Sequence, residues 1–187
     1  MTVFNAKWRI TAFWGVLTLA LDLFTKYLAK HYISPWKPLE VIPGFFNLVY
    51  TENTGAAFSL LAGAFAGNEG GQGFMMAALA FVALLPFIYF YVKARPGDKL
   101  LLASLGLIWG GALGNIHDRL HWGAVVDFLD FYLGDRHWPA FNVADIAICV
   151  GAGLLALSIL LEKPVKKPTD APGGSGSVEE PAPKRTE

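Results

Sequence analysis

The sequence predicts an all-α membrane protein: four transmembrane helices with a small extracytoplasmic β element and an interfacial segment. Three observations predict it. Hydrophobic residues make up 54% of the 187 positions and the mean hydropathy is +0.43, above the roughly 45–50% apolar share of soluble domains. Four segments approach the roughly 20 mostly apolar residues that a membrane-spanning helix needs. Lys and Arg concentrate in alternate short connections, with Lys30, Lys37 and Arg136 diluted over the two longer loops, as the charge bias of membrane loops requires.

The first span is expected from about Trp8 to Leu28. A cleaved signal peptide is the alternative there, since Lys7 and Arg9 precede the apolar run. The run is too long for one, and Asp22 and Lys26 occupy the place where a cleavage region is small and apolar. The second span, about Phe74 to Val92, contains Pro86, which kinks a membrane helix without breaking it. The third, about Leu100 to Ile116, is short. The fourth runs from about Phe141 to Leu161.

Between spans one and two, VIPGFFNLVYTENTGAAF mixes β-branched, aromatic and turn residues and predicts one or two short strands. The glycine-rich 67–73 stretch predicts a flexible link into span two. The run 124–134, AVVDFLDFYLG, is amphipathic and too short to span, so it is expected at the interface with its aromatics toward lipid or the span ends.

Lys7 and Arg9 precede span one. Lys93, Arg95 and Lys99 separate spans two and three, and Lys163, Lys166 and Lys167 follow span four. With four spans these groups share one side, which the positive-inside bias makes cytoplasmic. Both termini are then inside, and loops 30–73 and 117–140 outside. Two regions follow: a membrane domain over 1–163, and a cytoplasmic tail over 164–187 whose Pro, Gly, Ser and charges cannot bury enough apolar surface to fold.

The formal net charge is zero, without the basic footprint of a nucleic-acid binder. The single cysteine, Cys149, sits in an apolar run, and zinc spacings are missing. His117 and His121 are four apart in HDRLH, but the glutamate of HExxH is lacking, and two interfacial histidines account for the pattern; no metal or other cofactor is expected.

The polar residues converge. Given the orientation, Asp22 and Lys26 lie in the outer half of span one. Asn115, Asp118 and Arg119 lie at the outer end of span three, and Asn142 and Asp145 at the outer start of span four. Asp127 and Asn53 sit in the two outer loops. Charges within a membrane are paired or functional. Asp22 and Lys26 stand in the favourable i,i+4 order for a helical ion pair and are expected to clamp the structure. Asn142 is placed to cap span four. Asp145 has no cation at i±3 or i±4, and Asp127 has no basic neighbour in sequence.

Two carboxylates sharing a site hold one proton between them. That is the requirement for aspartic proteolysis, in which one takes a proton from water while the other protonates the scissile carbonyl. The residue types alone leave two other classes open. A proton- or ion-coupled transporter would string polar groups through the whole bilayer, yet the inner halves of the spans are almost entirely apolar. A scaffold or assembly factor would need these aspartates only for folding or docking.

Five motifs in order, DLFTK, NTGAAF, GGALGNIHDR, VVDF and FNVAD, resemble the bacterial lipoprotein signal peptidases (signal peptidase II). The resemblance covers about 22–145 and includes the four-span layout. It implies that Asp127 and Asp145 are the catalytic aspartates. It implies further that Asn53, Gly55, Asn115, Asp118, Arg119 and Asn142 line or support the site, and that Asp22 and Lys26 form a polar pair. The implied substrate is a prolipoprotein whose lipobox cysteine carries diacylglycerol, cut on the amino side of that cysteine at the outer face of the bacterial inner membrane. Substrate and membrane lipids are the implied partners of a monomer; nucleic acid is not one.

Overall fold

The computed structural model describes residues 3–55 and 69–161; the tail 164–187 lies outside them. Among the described residues four helices are long and apolar enough to cross a membrane: α1 (Val3–Tyr32), α2 (Glu69–Lys93), α3 (Lys99–Trp122) and α4 (Val143–Leu161). Each covers most or all of an expected span. Helices α1, α2 and α3 run past their expected ends, α1 and α2 at both and α3 to Trp122; on α3 the extension carries the buried Asp118. Helix α2 begins at Glu69, so residues 69–73 are helical instead of the expected flexible link. The cause is close packing: a Cβ on Gly73 would lie 2.7 Å from Gly123 Cα and 2.8 Å from the Arg119 carbonyl.

The faces are inverted relative to a soluble bundle. On α1 the buried positions are Thr11, Thr18, Asp22, Lys26 and Ala29, whereas Phe13, Val16, Leu17, Leu21 and Phe24 are exposed. Lipid is as apolar as these side chains, so helices associate through close packing and polar contacts and leave the large residues outside. Helix α3 is the hub. Gly106, Gly110 and Gly114 recur every fourth residue along the face toward α1. A Cβ on Gly106 would meet the Thr11 carbonyl at 2.6 Å, one on Gly110 the Gly15 carbonyl at 2.5 Å, and one on Gly114 the Asp22 carboxylate. Gly111 abuts the Ala144 carbonyl of α4 in the same way, and Thr11 Oγ1 donates to the Leu102 carbonyl at 3.1 Å.

Gly110→Val should therefore part α1 from α3 and cost at least about 3 kcal/mol, since backbone lies against the added atoms. Gly153→Val, where a Cβ meets nothing within 4 Å, should be neutral. Thermal unfolding in detergent checks the pair; equal midpoints would remove the close packing of α1 on α3 from the account.

A four-stranded antiparallel sheet, order β1-β2-β3-β4, is formed by β1 (Leu39–Ile42), β2 (Phe46–Asn53), β3 (Val125–Leu133) and β4 (Arg136–His137). The first two are the strands expected from the sequence. The third is the run expected as an amphipathic interfacial segment; it is an inner strand, paired on both sides. Between the Leu48↔Leu129 and Thr51↔Asp127 pairs, β2 carries one extra residue, a bulge that re-aims the side chains beyond it. Val126 and Phe128 pack on Ala29 and Ile33. By the twofold alternation of a strand, this turns Asp127 to the opposite face.

Candidate active site

The polar residues of the two sheet-forming connections and of three helices meet in one network at the sheet end of the bundle. Its base is Lys26 of α1, 4% exposed. The ammonium lies 2.8 Å from Asp22 Oδ2 and 3.0 Å from Asp118 Oδ2, and donates to Asn115 Oδ1 at 2.9 Å. One cation thus faces two buried carboxylates, so the expected i,i+4 pair is part of a larger cluster. The remaining carboxylate capacity is met by backbone. Ala144 N–H donates to Asp22 Oδ1 at 2.9 Å, and Val126 N–H to Asp118 Oδ2 at 3.2 Å. Asp22 therefore holds the first turn of α4, and Asp118 holds the start of β3.

Three asparagines connect this base to Asp127 and Asp145, each by the same logic. An amide whose oxygen is occupied by a donor must turn its NH2 the other way. Asn115 Oδ1 faces Lys26, so its Nδ2 donates to Asp145 Oδ1 at 2.9 Å. Asn142 Oδ1 accepts the Asp145 N–H at 3.0 Å, so its Nδ2 donates to Asp127 Oδ1 at 2.7 Å. Asn53 Oδ1 accepts the Gly55 N–H at 2.9 Å, so its Nδ2 donates to Asp127 Oδ2 at 3.0 Å. Gly55 sits at φ 77°, where only glycine is unstrained.

Asn142 is the cap of α4, as its position in the sequence predicts. Asp145 returns the contact by accepting the Asn142 N–H at 3.3 Å. The two form a reciprocal capping box, which fixes Asp145 at the first turn. Arg119 donates through Nη1 to the Asn115 carbonyl at 3.3 Å, and its buried Nε has no partner among the described residues. His117 and His121 stack face to face at 4.2 Å beside the network, and His117 Nδ1 lies 3.4 Å from Asp118 Oδ1.

Burial pushes the Asp127 carboxyl up to about 6, and the nearby Asp145 charge adds to the rise; the amides of Asn53 and Asn142 oppose it. Asp127 therefore keeps its proton to higher pH than an ordinary carboxyl does.

The family model for signal peptidase (SPase) II matches residues 15–161. The chain belongs to the signal peptidase II family. It is 44% identical over 155 residues to the lipoprotein signal peptidase of Coxiella burnetii, covering 82% of this chain and 91% of that one. It is 43% identical over 149 residues to that of Francisella tularensis subsp. mediasiatica, covering 80% and 90%. Two solved structures of a bacterial membrane enzyme superpose with TM-scores of 0.66 and 0.65 at 28% identity, covering 82% and 87% of this chain and 94% of each of those. This signal peptidase is therefore an aspartic peptidase of the membrane, with four apolar helices and a small antiparallel sheet.

All ten residues singled out in the sequence lie in or beside the network of the signal peptidase. Sequence reasoning missed the backbone donors of Ala144 and Val126, which carry no side-chain signature. It also missed a second cluster in the sheet, where Asp130 accepts from Asn47 Nδ2 at 3.1 Å and contacts His137 Nδ1 at 2.9 Å.

Proposed function

We propose that Asp127 and Asp145 are the catalytic pair of a lipoprotein signal peptidase. The enzyme cleaves diacylglyceryl-modified prolipoproteins on the amino side of the lipidated cysteine. The observation that carries this reading is Asn142, whose one side chain contacts the Asp127 carboxylate and the backbone of Asp145. It ties two carboxylates from separate elements to one place and leaves each with unused lone pairs.

In the reaction, the Asp145 carboxylate takes a proton from a water whose oxygen attacks the scissile carbonyl carbon. Asp127 gives its proton to the carbonyl oxygen. The tetrahedral gem-diol then collapses as Asp145 passes its proton to the leaving nitrogen and Asp127 recovers one from the diol. The carbon–nitrogen bond breaks and the pair returns to its starting state. Asn53, Asn115 and Asn142 hold the pair, Gly55 holds Asn53, and with Lys26 between them Asp22 holds the start of α4 and Asp118 the start of β3. The free Nε–H of Arg119 is a donor for a substrate carbonyl. The lipid keeps the scissile bond at the outer interface and so supplies orientation. No metal takes part.

The positions of Lys7, Arg9, Lys93, Arg95 and Lys99 support both termini inside and the pair at the outer face of the bacterial plasma membrane. One chain supplies every group named, so the working unit is a monomer of residues 1–163, with 164–187 a tail without chemistry and nucleic acid no partner. The deciding experiment follows signal-peptide release from a diacylglyceryl-modified prolipoprotein by purified protein. Cleavage should persist in a chelator; its absence from folded wild-type protein would overturn the reading.

The raised Asp127 ionisation gives a pH prediction. A proton held between about 3.8 and about 6 in the folded enzyme means that Asp127 favours folding most below about 3.8. That contribution is lost as pH rises to about 6. Activity follows the same proton: kcat/KM should fall about tenfold per unit on the alkaline side of an apparent pKa near 6. A profile still rising above pH 8 would assign the proton elsewhere.

A further inference from the structure

The end of the bundle opposite the aspartates holds a cavity of about 730 Å³ between the α2–α3 connection and the last turn of α4. Its lining divides by chemistry. Lys93, Arg95 and Lys99 stand on one side, all exposed, and none pairs with a described carboxylate. Phe90, Leu101 and Ile159 form an apolar wall that continues onto the lipid-facing flanks of their helices.

The polar groups that would ordinarily absorb these cations are committed elsewhere. The terminal carbonyls of α2 at Tyr91 and Val92 already accept the Lys7 ammonium of α1, at 3.3 and 3.2 Å. The Asp98 carboxylate, the one acid in the lining, accepts the Arg95 backbone N–H at 2.6 Å and offsets only part of the charge. Three cations without a carboxylate partner among the described residues, Lys93 also lying 5.8 Å from the Tyr89 ring centroid, therefore border an apolar groove at the level where helices leave the bilayer. A soluble anion would satisfy the cations and leave the groove empty; a zwitterionic lipid would fill the groove and bring no net negative charge to the three cations. Basic pockets between transmembrane helices select anionic headgroups.

We propose that this cavity binds one anionic phospholipid from the leaflet opposite the aspartates, its phosphate among Lys93, Arg95 and Lys99 and an acyl chain along Phe90 and Ile159. The lipid then ties the ends of α2, α3 and α4 together at a point remote from the chemistry.

The test uses the full chain in detergent and a dansyl-labelled phosphatidylglycerol, with binding read by energy transfer from tryptophan. Unlabelled phosphatidylglycerol should displace the probe on the order of 100-fold more effectively than phosphatidylcholine with the same chains, from three cations near the surface. Glycerol phosphate should not displace it. The K93Q/R95Q/K99Q variant should bring the preference to within a few fold. Ser158→Phe, which fills the cavity lining and keeps all three charges, should abolish probe binding. Both variants should cleave prolipoprotein at the wild-type rate in detergent without added anionic lipid. Should the triple variant fail to fold, Ser158→Phe decides alone. Equal displacement by phosphatidylcholine, displacement by glycerol phosphate, or binding unaffected by Ser158→Phe would overturn the proposal.

Discussion

Asp127→Asn and Asp145→Asn should each lower kcat/KM for a diacylglyceryl-modified prolipoprotein by at least about 10³-fold, with the protein still folded and inserted. Proton transfer by a placed side chain is worth about 10²–10⁴-fold, and in the proposed mechanism both members of the pair act in one turnover. The substitutions are mild in shape. At Asp127 an amide keeps one oxygen for the Asn142 donor at 2.7 Å, and Asn53 has to rearrange on the other side. At Asp145 the oxygen can still accept from Asn115 at 2.9 Å. The double variant should be no worse than either single one, because groups that act as a unit are not additive. Measured cleavage rates beside thermal midpoints check this. A single variant that retains a tenth of wild-type activity would remove its aspartate from the chemistry.

Lys26→Met should do the opposite, collapsing the fold before activity can be asked about. Lys26 is 4% exposed, and Asp22 and Asp118 are 0% and 3%, so removing the ammonium leaves two buried carboxylates without their cation. Breaking a buried pair from one side costs about 3–5 kcal/mol. The damage spreads, because Asp22 caps the turn that carries Asp145 and Lys26 sets the orientation of Asn115. Adding Asp22→Asn to Lys26→Met removes one stranded charge and should recover part of the lost midpoint. An inactive Lys26→Met protein of unchanged stability would instead place Lys26 among the groups that touch substrate.

The membrane spans were legible because a run of about 20 apolar residues has few other uses. The ends were not: Lys30 and Trp122 look like loop residues in sequence, yet the ammonium lies 3.4 Å from the indole centroid and both belong to helices. The strand β3 was hidden for a different reason. Val125 to Phe128 are all buried, so the alternation that reveals a half-exposed strand is missing, and its β2 partner lies about 80 residues away in the chain. The membership of the site was legible through five short motifs. Its wiring was not. That Lys26 sits between two acids, or that Asp22 caps a helix 122 residues later, depends on how α1 packs against the glycine face of α3. No local pattern encodes that.

The placement of Asp22 and Lys26 one turn apart also bears on biogenesis. The first helix carries its own counterion: Asp22 and Lys26 lie on one of its faces, 2.8 Å apart in the folded protein, and can pair within the helix alone. Asp118 emerges from the ribosome nearly a hundred residues later and finds Lys26 already waiting at the right depth. Synthesis in the reverse order would strand an acid in lipid. Of the two acids that Lys26 receives, Asp22 thus precedes it by one turn of the same helix and Asp118 follows it from another.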